Sequence, residues 1–435
     1  MTQAKFKKKD LGLSPEVALN ALINKVPVIF LGGPSSEIQI LITDFKEVCF
    51  EDFQSMSVDC LIKNAPKSDS LPVLVDGYVG LLSYDDFCNP LGLPVSPAIK
   101  SSKILPVRSR VFQVQSAVIF HSRGFTIQGV LSETIDGLLF GSNITSSSGE
   151  NPQVKDQGAP LVLDPKQNDK KYLSNVNAVL NFIEEGRFYQ LNMLRYFSFR
   201  VRPSYEQILK RFFKKAGSQG AIFRLDDESV FSFSPERFIK FRQIDDQELE
   251  LETWPIKGTR QRSGDPLEDQ KFKEELKNSS KDNAELHMIV DLMRNDLNRL
   301  SAPHSVEVID TGSVVSFESV HHLVAKIKSR LKSSVVLGDF FRCLLPAGSI
   351  TGAPKIEVMN AITELEGRRR GRFMGNAFYL SSCGRFDSSV LIRTIQENQY
   401  GDFEYAAGSG LVIKSNPTEE MQEINTKCEV LSSPL

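Results

Sequence analysis

The chain of 435 residues lacks several features that would assign it directly to a class of protein. No apolar run approaches the roughly 20 residues that a membrane-spanning helix needs. Basic and acidic residues are nearly equal in number, 52 against 54, so no charge excess favours nucleic acid or an anionic membrane as a partner. The six cysteines form no CxxC pair, which is typical of free thiols in a reducing cytoplasm. We therefore expect a cytoplasmic globular protein that binds neither nucleic acid nor a membrane.

Composition changes clearly between Gly141 and Lys171, where serine, glycine, asparagine and proline replace apolar residues. Such a segment is typical of a linker or a long loop. We divide the chain into a mainly β N-terminal part (residues 1–145), a linker (146–170) and a C-terminal part of mixed strands and helices (171–435). In the C-terminal part, the hydrophobic pattern predicts helices over 173–183, 267–278, 283–297, 354–365 and 418–430, and a strand over 390–396.

Two glycine-rich segments could bring the backbone close to a ligand. Residues 346–355 run into a predicted helix, and a helix start offers free N–H donors to an anion. The glycine spacing before Lys355 does not match a nucleotide-binding P-loop, so a carboxylate-binding turn and a tight turn that caps a core helix remain open. The second segment, residues 406–411, has only half of a dinucleotide-binding pattern and better fits close approach of a ligand to the backbone.

Two predicted helices carry carboxylates on one face. Glu420, Glu423 and Lys427 lie three and then four residues apart, and Asp282 and Glu285 lie three apart. These spacings align side chains on a helix surface. Carboxylate oxygens in such pairs suit Mg²⁺, but a solvated, salt-bridged helix face explains the same pattern.

A lysine and a histidine pair complete the candidates. Lys257 lies between Ile256 and Gly258 in a short turn. It is either a surface lysine or a partly buried amine, and partial burial would favour the neutral, nucleophilic form. His321 and His322 begin an apolar strand, where their rings must face opposite sides. At most one of them can face a site, and a core histidine is the alternative.

Several segments, in this order, resemble the chorismate-utilising enzymes, a family that includes anthranilate, aminodeoxychorismate, isochorismate and salicylate synthases. The resemblance is dense over residues 172–431 and weaker before them, mainly at 77–85. It implies an α+β fold in which two large antiparallel sheets pack face to face with helices outside. The matching segments are residues 186–190, 234–238, 255–260, 284–297, 348–355, 392–394 and 407–412, followed by the helix that carries Glu420, Glu423 and Lys427.

Two positions distinguish branches of this family. Lys257 stands where anthranilate synthases carry alanine and aminodeoxychorismate synthases carry lysine. Gln190 stands where isochorismate and salicylate synthases carry a water-activating lysine. Both differences favour the aminodeoxychorismate branch, a transaminase-class reaction that would convert chorismate and ammonia to 4-amino-4-deoxychorismate for para-aminobenzoate and folate synthesis. Anthranilate synthase component I is the alternative within the family. An inactive regulatory subunit and an unrelated anion-binding α/β protein are the alternatives outside this chemistry.

The resemblance also implies catalytic and substrate-binding roles. Lys257 would attack chorismate as the nucleophile, Glu236 would protonate the departing hydroxyl, and His322 matches a family histidine whose role here is open. Chorismate is a dicarboxylate, and Arg393 would bind its enolpyruvyl carboxylate. The implied substrate contacts are Thr259, Gly258, Tyr379, Arg393, Gly408, Ser409, Gly410 and Lys427.

A cofactor and a protein partner follow from the same resemblance. Mg²⁺ would be held by Glu285 and Glu423, with Glu420 and Asp282 close by. The chain has neither the Gly-x-Cys-x-Gly nor the His-Pro-Glu motif of a glutaminase. Ammonia would therefore come from solution or from a separate glutamine amidotransferase subunit, component II.

Overall fold

The computed structural model describes most of the chain and every predicted site residue. The described residues are 13–57, 71–88, 107–122, 124–140, 160–244, 248–316, 320–332, 334–433 and 435, with the backbone of 4–7. No helix among them is both long and apolar enough to cross a membrane. Five of the six cysteines lie in these ranges as free thiols, and Cys60 lies outside them. Most of the predicted linker also lies outside.

Helices make up the outer layers of the fold. Those in the described ranges are α1 (Pro15–Leu22), α2 (Phe50–Gln54), α3 (Glu133–Phe140), α4 (Asp169–Glu184), α5 (Tyr205–Lys215), α6 (Pro266–Asn278), α7 (Ser280–Leu300), α8 (Leu337–Leu344), α9 (Lys355–Glu366) and α10 (Pro417–Ser432).

Strands form the centre. They are β1 (Ala4–Lys7), β2 (Val28–Leu31), β3 (Gln39–Val48), β4 (Tyr78–Leu82), β5 (Arg110–His121), β6 (Gly124–Gln128), β7 (Leu163–Pro165), β8 (Gln190–Phe199), β9 (Ala221–Arg224), β10 (Ser229–Ser232), β11 (Arg237–Gln243), β12 (Leu249–Thr253), β13 (Ile256–Gln261), β14 (Glu307–Ser316), β15 (Val320–Arg330), β16 (Gly352–Ala353), β17 (Asn376–Leu380), β18 (Phe386–Val390), β19 (Thr394–Glu397) and β20 (Phe403–Val412).

All strand pairs are antiparallel and connect into one ladder with two arms. The first arm runs from β8, with β7 and β16 on its edge, through β20, β19, β10, β9 and β2 to β3. Strand β5 joins β3 to β4, where the second arm begins. That arm continues through β17, β18, β11 and β12 to β15, which also pairs with β13 and β14.

The two arms face each other across an apolar layer. Buried side chains from both arms meet in one cluster, among them Ile29 and Phe223 from the first arm and Leu81 and Ala377 from the second. The outer face of the first arm is covered by α1, α4, α5, α9 and α10. The outer face of the second is covered by α2, α7 and α8. The predicted α+β fold of two packed antiparallel sheets is confirmed, with the difference that both sheets belong to one continuous ladder.

The two predicted parts of the chain share this ladder. Strand β2 of the N-terminal part pairs with β9, and β4 pairs with β17. These pairs place strands from before and after the predicted linker side by side in both arms.

Capping side chains set the helix boundaries near the site. Ser279 ends α6 and begins α7, where its hydroxyl accepts a hydrogen bond from the backbone N–H of Asp282. Asn416 caps α10 in the same way. Helix α7 carries Asp282 and Glu285, and α10 carries Glu420, so these two caps fix the helices that present the predicted acidic residues.

Candidate active site

The far ends of the two arms approach each other at a backbone irregularity in β13. The register of β13 against β15 shifts between Lys257 and Thr259. Gly258 lies between them with a φ of +67°, and a Cβ there would stand 2.7 Å from Leu276 Cδ1 and 2.8 Å from Asp282 Cγ. Only glycine fits both the conformation and the space. This bulge orients the side chain of Lys257. Its Nζ lies 3.5 Å from the carbonyl oxygen of Ser349.

Glu236 is a buried acid next to this lysine. Its Oε1 accepts a 2.6 Å hydrogen bond from the hydroxyl of Ser349. Burial raises the pKa of Glu236, although this hydrogen bond and the positive charges of Lys257 and Arg393 oppose the rise. Ser349 therefore contacts both predicted reactive groups, the acid through its hydroxyl and the lysine through its carbonyl. A carboxyl group with a raised pKa is suited to donate a proton.

Arg393 enters the site from a break between two strands. The sequence predicts one strand over residues 390–396, but the structure splits it into β18 and β19, with Arg393 at a φ of +50°. This left-handed conformation is uncommon for arginine. No described residue forms a hydrogen bond or ion pair with the guanidinium, and burial lowers its pKa. A partly buried cation without a described partner favours an anionic ligand, and a carboxylate matches its geometry.

The two neighbouring histidines face opposite sides of β15, as predicted. His322 Nδ1 lies 2.9 Å from the Thr259 hydroxyl. Burial lowers the pKa of His322 to about 4, helped by the charge of Arg393, while a hydrogen bond with the backbone of Gly258 opposes the shift. His322 is therefore neutral at pH 7. His321 instead contacts groups outside the site, the side chains of Ser316 and Asp269.

Two of the four predicted metal ligands are engaged by protein groups. Glu420 is 1 % exposed and accepts hydrogen bonds from the hydroxyls of Ser409 and Ser415. Asp282 forms an ion pair with Arg260 at 3.2 Å. Both carboxylates lie beside the site, but their described contacts are to protein donors.

Of the other two predicted metal ligands, Glu423 is also engaged by a protein group, and Glu285 alone of the four has no hydrogen-bond or ion-pair partner among the described residues. Glu285 is buried and forms no hydrogen bond or ion pair with any described residue. Burial raises its pKa, and the nearby cations Lys257 and Lys281 oppose the rise. Glu423 is partly exposed and pairs with Lys427 at 2.6 Å. Burial raises the pKa of Glu423, but the ammonium groups of Lys427, Lys281 and Lys257 together lower it more.

Mg²⁺ commonly binds one or two protein carboxylates and completes its shell with water and substrate oxygens. Glu285 and Glu423 supply hard oxygen donors, and the buried Glu285 carboxylate has no described partner, so this pair fits the ion. Among the described residues, no three Asp, Glu, His or Cys side chains converge as a protein-only cage. A complete shell would therefore include oxygens from the substrate or water.

The glycine-rich segment 406–411 forms part of β20 and lines the site with backbone. Lys427 Nζ donates a 2.7 Å hydrogen bond to the carbonyl oxygen of Gly408. A Cβ added to Gly410 would stand 3.7 Å from Lys257 Nζ, which places this strand against the Lys257 side chain. Ser409, predicted as a substrate contact, turns its side chain away to Glu420, so only its backbone is left for a ligand.

Tyr379 is the one predicted substrate contact that the structure separates from the others. It lines a second cleft of about 1400 Å³ between the arms, which none of the other predicted site residues lines. Arg237 and Asp387 form a bidentate pair there, with two contacts of 2.9 Å. Alternation along β17 explains the position of Tyr379, because it shares a strand face with Ala377, which packs in the apolar cluster between the arms.

The loop of residues 346–355 leads into α9, as the interpretation of a turn before a core helix predicts, and binding of a carboxylate by this loop stays a prediction. Lys355 begins α9 and forms a buried ion pair with Asp296 of α7, so it holds two helices together instead of binding an anion. Ser349 of the same loop reaches the site. The sequence indicates this loop as a candidate but does not distinguish Ser349 within it; the position of the serine beside the loop's glycines is the available signal.

The fold and the site of Glu236, Lys257 and Arg393 agree with the resemblance to chorismate-utilising enzymes, and so does the comparison with known families. The family described as chorismate binding enzyme matches residues 42–433, and the chain belongs to that family.

Among curated relatives, aminodeoxychorismate synthase component 1 of Klebsiella aerogenes is 40% identical over 58% of this chain and 55% of its own length. The same protein of Salmonella typhimurium is 40% identical over 61% of this chain and 57% of its own length. These matches thus span just over half the length of each relative. Anthranilate synthase component 1 of Bacillus subtilis is 30% identical over 72% of this chain and 59% of its own length.

Solved structures share the fold. Anthranilate synthase component I of Streptococcus pneumoniae superimposes with a TM-score of 0.71 at 23% identity, covering 99% of this chain and 100% of the other. The menaquinone-specific isochorismate synthase of Escherichia coli gives a TM-score of 0.72 at 16% identity, covering 99% and 94%. The agreement extends over the whole length of the chain.

Proposed function

We propose that the chain is the chorismate-aminating component of an aminodeoxychorismate synthase. The observation that carries this proposal is the placement of Lys257 against Ser349, whose hydroxyl binds the buried acid Glu236. A candidate nucleophilic amine and a candidate proton donor thus both contact the same residue, Ser349. Anthranilate-forming enzymes of the family carry alanine at this position of the motif, and a lysine there gives the reaction a covalent route.

The residues support a two-step exchange. The neutral amine of Lys257 attacks C2 of chorismate, both conjugated ring double bonds shift toward C4, and the C4 hydroxyl leaves as water with the proton of Glu236. Ammonia then adds at C4, the bond to Lys257 breaks, and the lysine leaves as a neutral amine. A proton from the new C4 ammonium returns to Glu236. The sum is chorismate plus ammonia giving 4-amino-4-deoxychorismate plus water, an amino-group transfer of the transaminase class.

Binding of the substrate relies on fixed positive charge. Arg393 is partly buried without a described partner, so it is available for the enolpyruvyl carboxylate. Lys427 is held over Gly408 and adds a second cation near the glycine strand. Mg²⁺, held by Glu285 and Glu423, would stabilise negative charge on the ring carboxylate.

The source of ammonia is a further part of the proposal. Free ammonia would serve the chain alone, and a glutamine amidotransferase subunit would supply it in a complex. The name component 1, borne by the curated relatives, implies a second component in those proteins. We propose a cytoplasmic location, which the five free thiols support.

The covalent route is tested by intact-protein mass spectrometry with chorismate and Mg²⁺ but no ammonium. We expect an adduct of chorismate less one water, and Lys257→Ala should abolish it. Lys326→Ala is the matched control, because this lysine lies over the Trp254 ring in the other cleft. An adduct that persists in Lys257→Ala shows that another residue is the nucleophile.

The metal assignment is tested by titrating Mg²⁺. Glu285→Gln and Glu423→Gln should each raise the Mg²⁺ concentration for half-maximal activity at least tenfold, because each removes one of two anionic ligands. Direct Mg²⁺ binding by calorimetry should weaken in parallel. Asp291→Asn, on the exposed face of the same helix as Glu285, should leave both unchanged. Unchanged titrations in both glutamine variants would place the metal elsewhere.

A further inference from the structure

Strand β8 carries two buried amide oxygens that lack a hydrogen-bond donor. Gln190 Oε1 and Asn192 Oδ1 have no partner among the described residues. Gln190 is 1 % exposed and Asn192 is 8 % exposed, so neither group has free access to bulk water. Buried acceptors are nearly always satisfied in folded proteins. Two unsatisfied acceptors in one strand therefore point to a ligand that donates hydrogen bonds.

Both amides belong to the face of β8 that borders the site. Residues two apart in a strand share a face and lie roughly 7 Å apart. A Cβ added to Gly408 would stand 2.7 Å from Asn192 Oδ1, and one added to Gly410 would stand 2.8 Å from Gln190 Nε2. The Gly410 position is also 3.7 Å from Lys257 Nζ. The amides thus form a short row over the two glycines, with Gln190 at the end next to the nucleophile.

The chemistry of this row differs from that of the rest of the site. Chorismate offers two carboxylates, which need positively charged partners; Arg393 and Lys427 supply two, and Mg²⁺ held by Glu285 and Glu423 would supply a third. Amide oxygens do not bind a carboxylate. They match a small ligand whose polar groups are all N–H donors. Ammonia and ammonium have this character, and the proposed reaction consumes one of them beside Lys257.

We propose that Asn192 and Gln190 bind the ammonia that aminates the ring, Asn192 farther from Lys257 and Gln190 nearer to it. This site rests on the proposed function, because it assigns a place to the second substrate of that reaction. It adds no covalent step. The acceptors hold ammonia by its hydrogens and leave its lone pair free for attack at C4.

An isosteric pair of variants tests the site. Asn192→Val and Asn192→Thr have the same shape and both suit a strand, but only threonine keeps an oxygen acceptor. At saturating chorismate, the valine variant should raise the KM for ammonium about tenfold, which corresponds to the loss of one hydrogen bond. The threonine variant should lie closer to wild type, and the KM for chorismate should stay within about twofold in both. Gln190→Met, of similar length, repeats the test at the other end of the row.

Adduct formation without ammonium separates this site from the proposed function. Chorismate should form the Lys257 adduct in every one of these variants, and adding ammonium should then discharge it more slowly in Asn192→Val and Gln190→Met. An absent adduct in the wild-type protein contradicts the proposed function itself. A normal adduct with an unchanged ammonium KM overturns the ammonia site. A lost adduct or a raised chorismate KM in the valine and methionine variants also overturns it, since the amides would then serve chorismate or the strand.

Discussion

Two residues with unusual backbone conformations orient side chains that are predicted to act in the site. Gly258 adopts a positive φ so that Lys257 can leave the strand register, and Arg393 adopts one without being glycine. A left-handed arginine costs conformational energy that its surroundings must offset. Strain of this kind is often found at functional residues, and here it lies at Arg393, a partly buried guanidinium in the site without a described partner.

The neutral state of His322 gives a stability prediction at the scale of one residue. Its pKa is lowered from 6.5 to about 4 in the folded protein, so the unfolded chain binds a proton more readily between these values. Stability from this histidine is therefore complete above about pH 6.5 and is lost as the pH falls toward 4. The loss amounts to about 3 kcal/mol.

Urea unfolding of wild type and His322→Gln between pH 4 and pH 7 measures this effect. We expect the wild type to lose its advantage over the variant as the pH falls, because the other titrating groups cancel in the difference. His287→Gln, on the exposed face of α7, serves as the control. A difference that does not change with pH would show that His322 does not titrate as described.

At the scale of elements, the loop before α9 is held in place by contacts that lie outside the site. Lys355 and Asp296 form an ion pair whose side chains are 12 % and 4 % exposed, and the lysine also donates to the carbonyl oxygen of Leu344. This pair fixes the start of α9 on α7, and the loop that carries Ser349 runs directly into it. The position of Ser349 between Glu236 and Lys257 thus depends on contacts outside the site.

Replacing only one partner of this ion pair should destabilise the protein more than replacing both partners. Lys355→Met leaves the Asp296 carboxylate buried without its cation and should lower the free energy of unfolding by about 3–5 kcal/mol. The double variant Lys355→Met/Asp296→Leu should recover much of that loss, because no uncompensated charge remains. Urea denaturation of the three proteins gives the comparison. Equal losses in the single and double variants would mean that packing, not charge, holds the helices together.

Helices with a clear hydrophobic periodicity could be predicted from the sequence. Elements that are marked mainly by residues at their ends were found less completely. The helices predicted over 283–297 and 418–430 agree with α7 and α10 to within a few residues. Helix α5 was missed although Ser204 and Gln207 form a capping box at its start, a signal readable from their spacing. Strand β8 was also missed, and with it Asn192. The break at Arg393 could not be found, because no glycine or proline marks it.

At the scale of the whole molecule, the site depends on the path of one ladder. Lys257 and His322 come from the end of the second arm, and Gly408 and Gln190 come from the end of the first. Sequence motifs identified Lys257, Glu236 and Arg393 individually. They could not show that Tyr379 lies in another cleft, since that depends on which face of β17 meets the other arm.

The most direct test is to identify the product. The protein is incubated with chorismate, Mg²⁺ and an ammonium salt, and the products are determined by mass spectrometry together with an assay for pyruvate. A parallel incubation replaces ammonium with glutamine. We predict 4-amino-4-deoxychorismate without pyruvate from ammonium, and no product from glutamine until an amidotransferase subunit is added. Anthranilate with pyruvate would contradict the account, because Lys257 would then not direct the reaction.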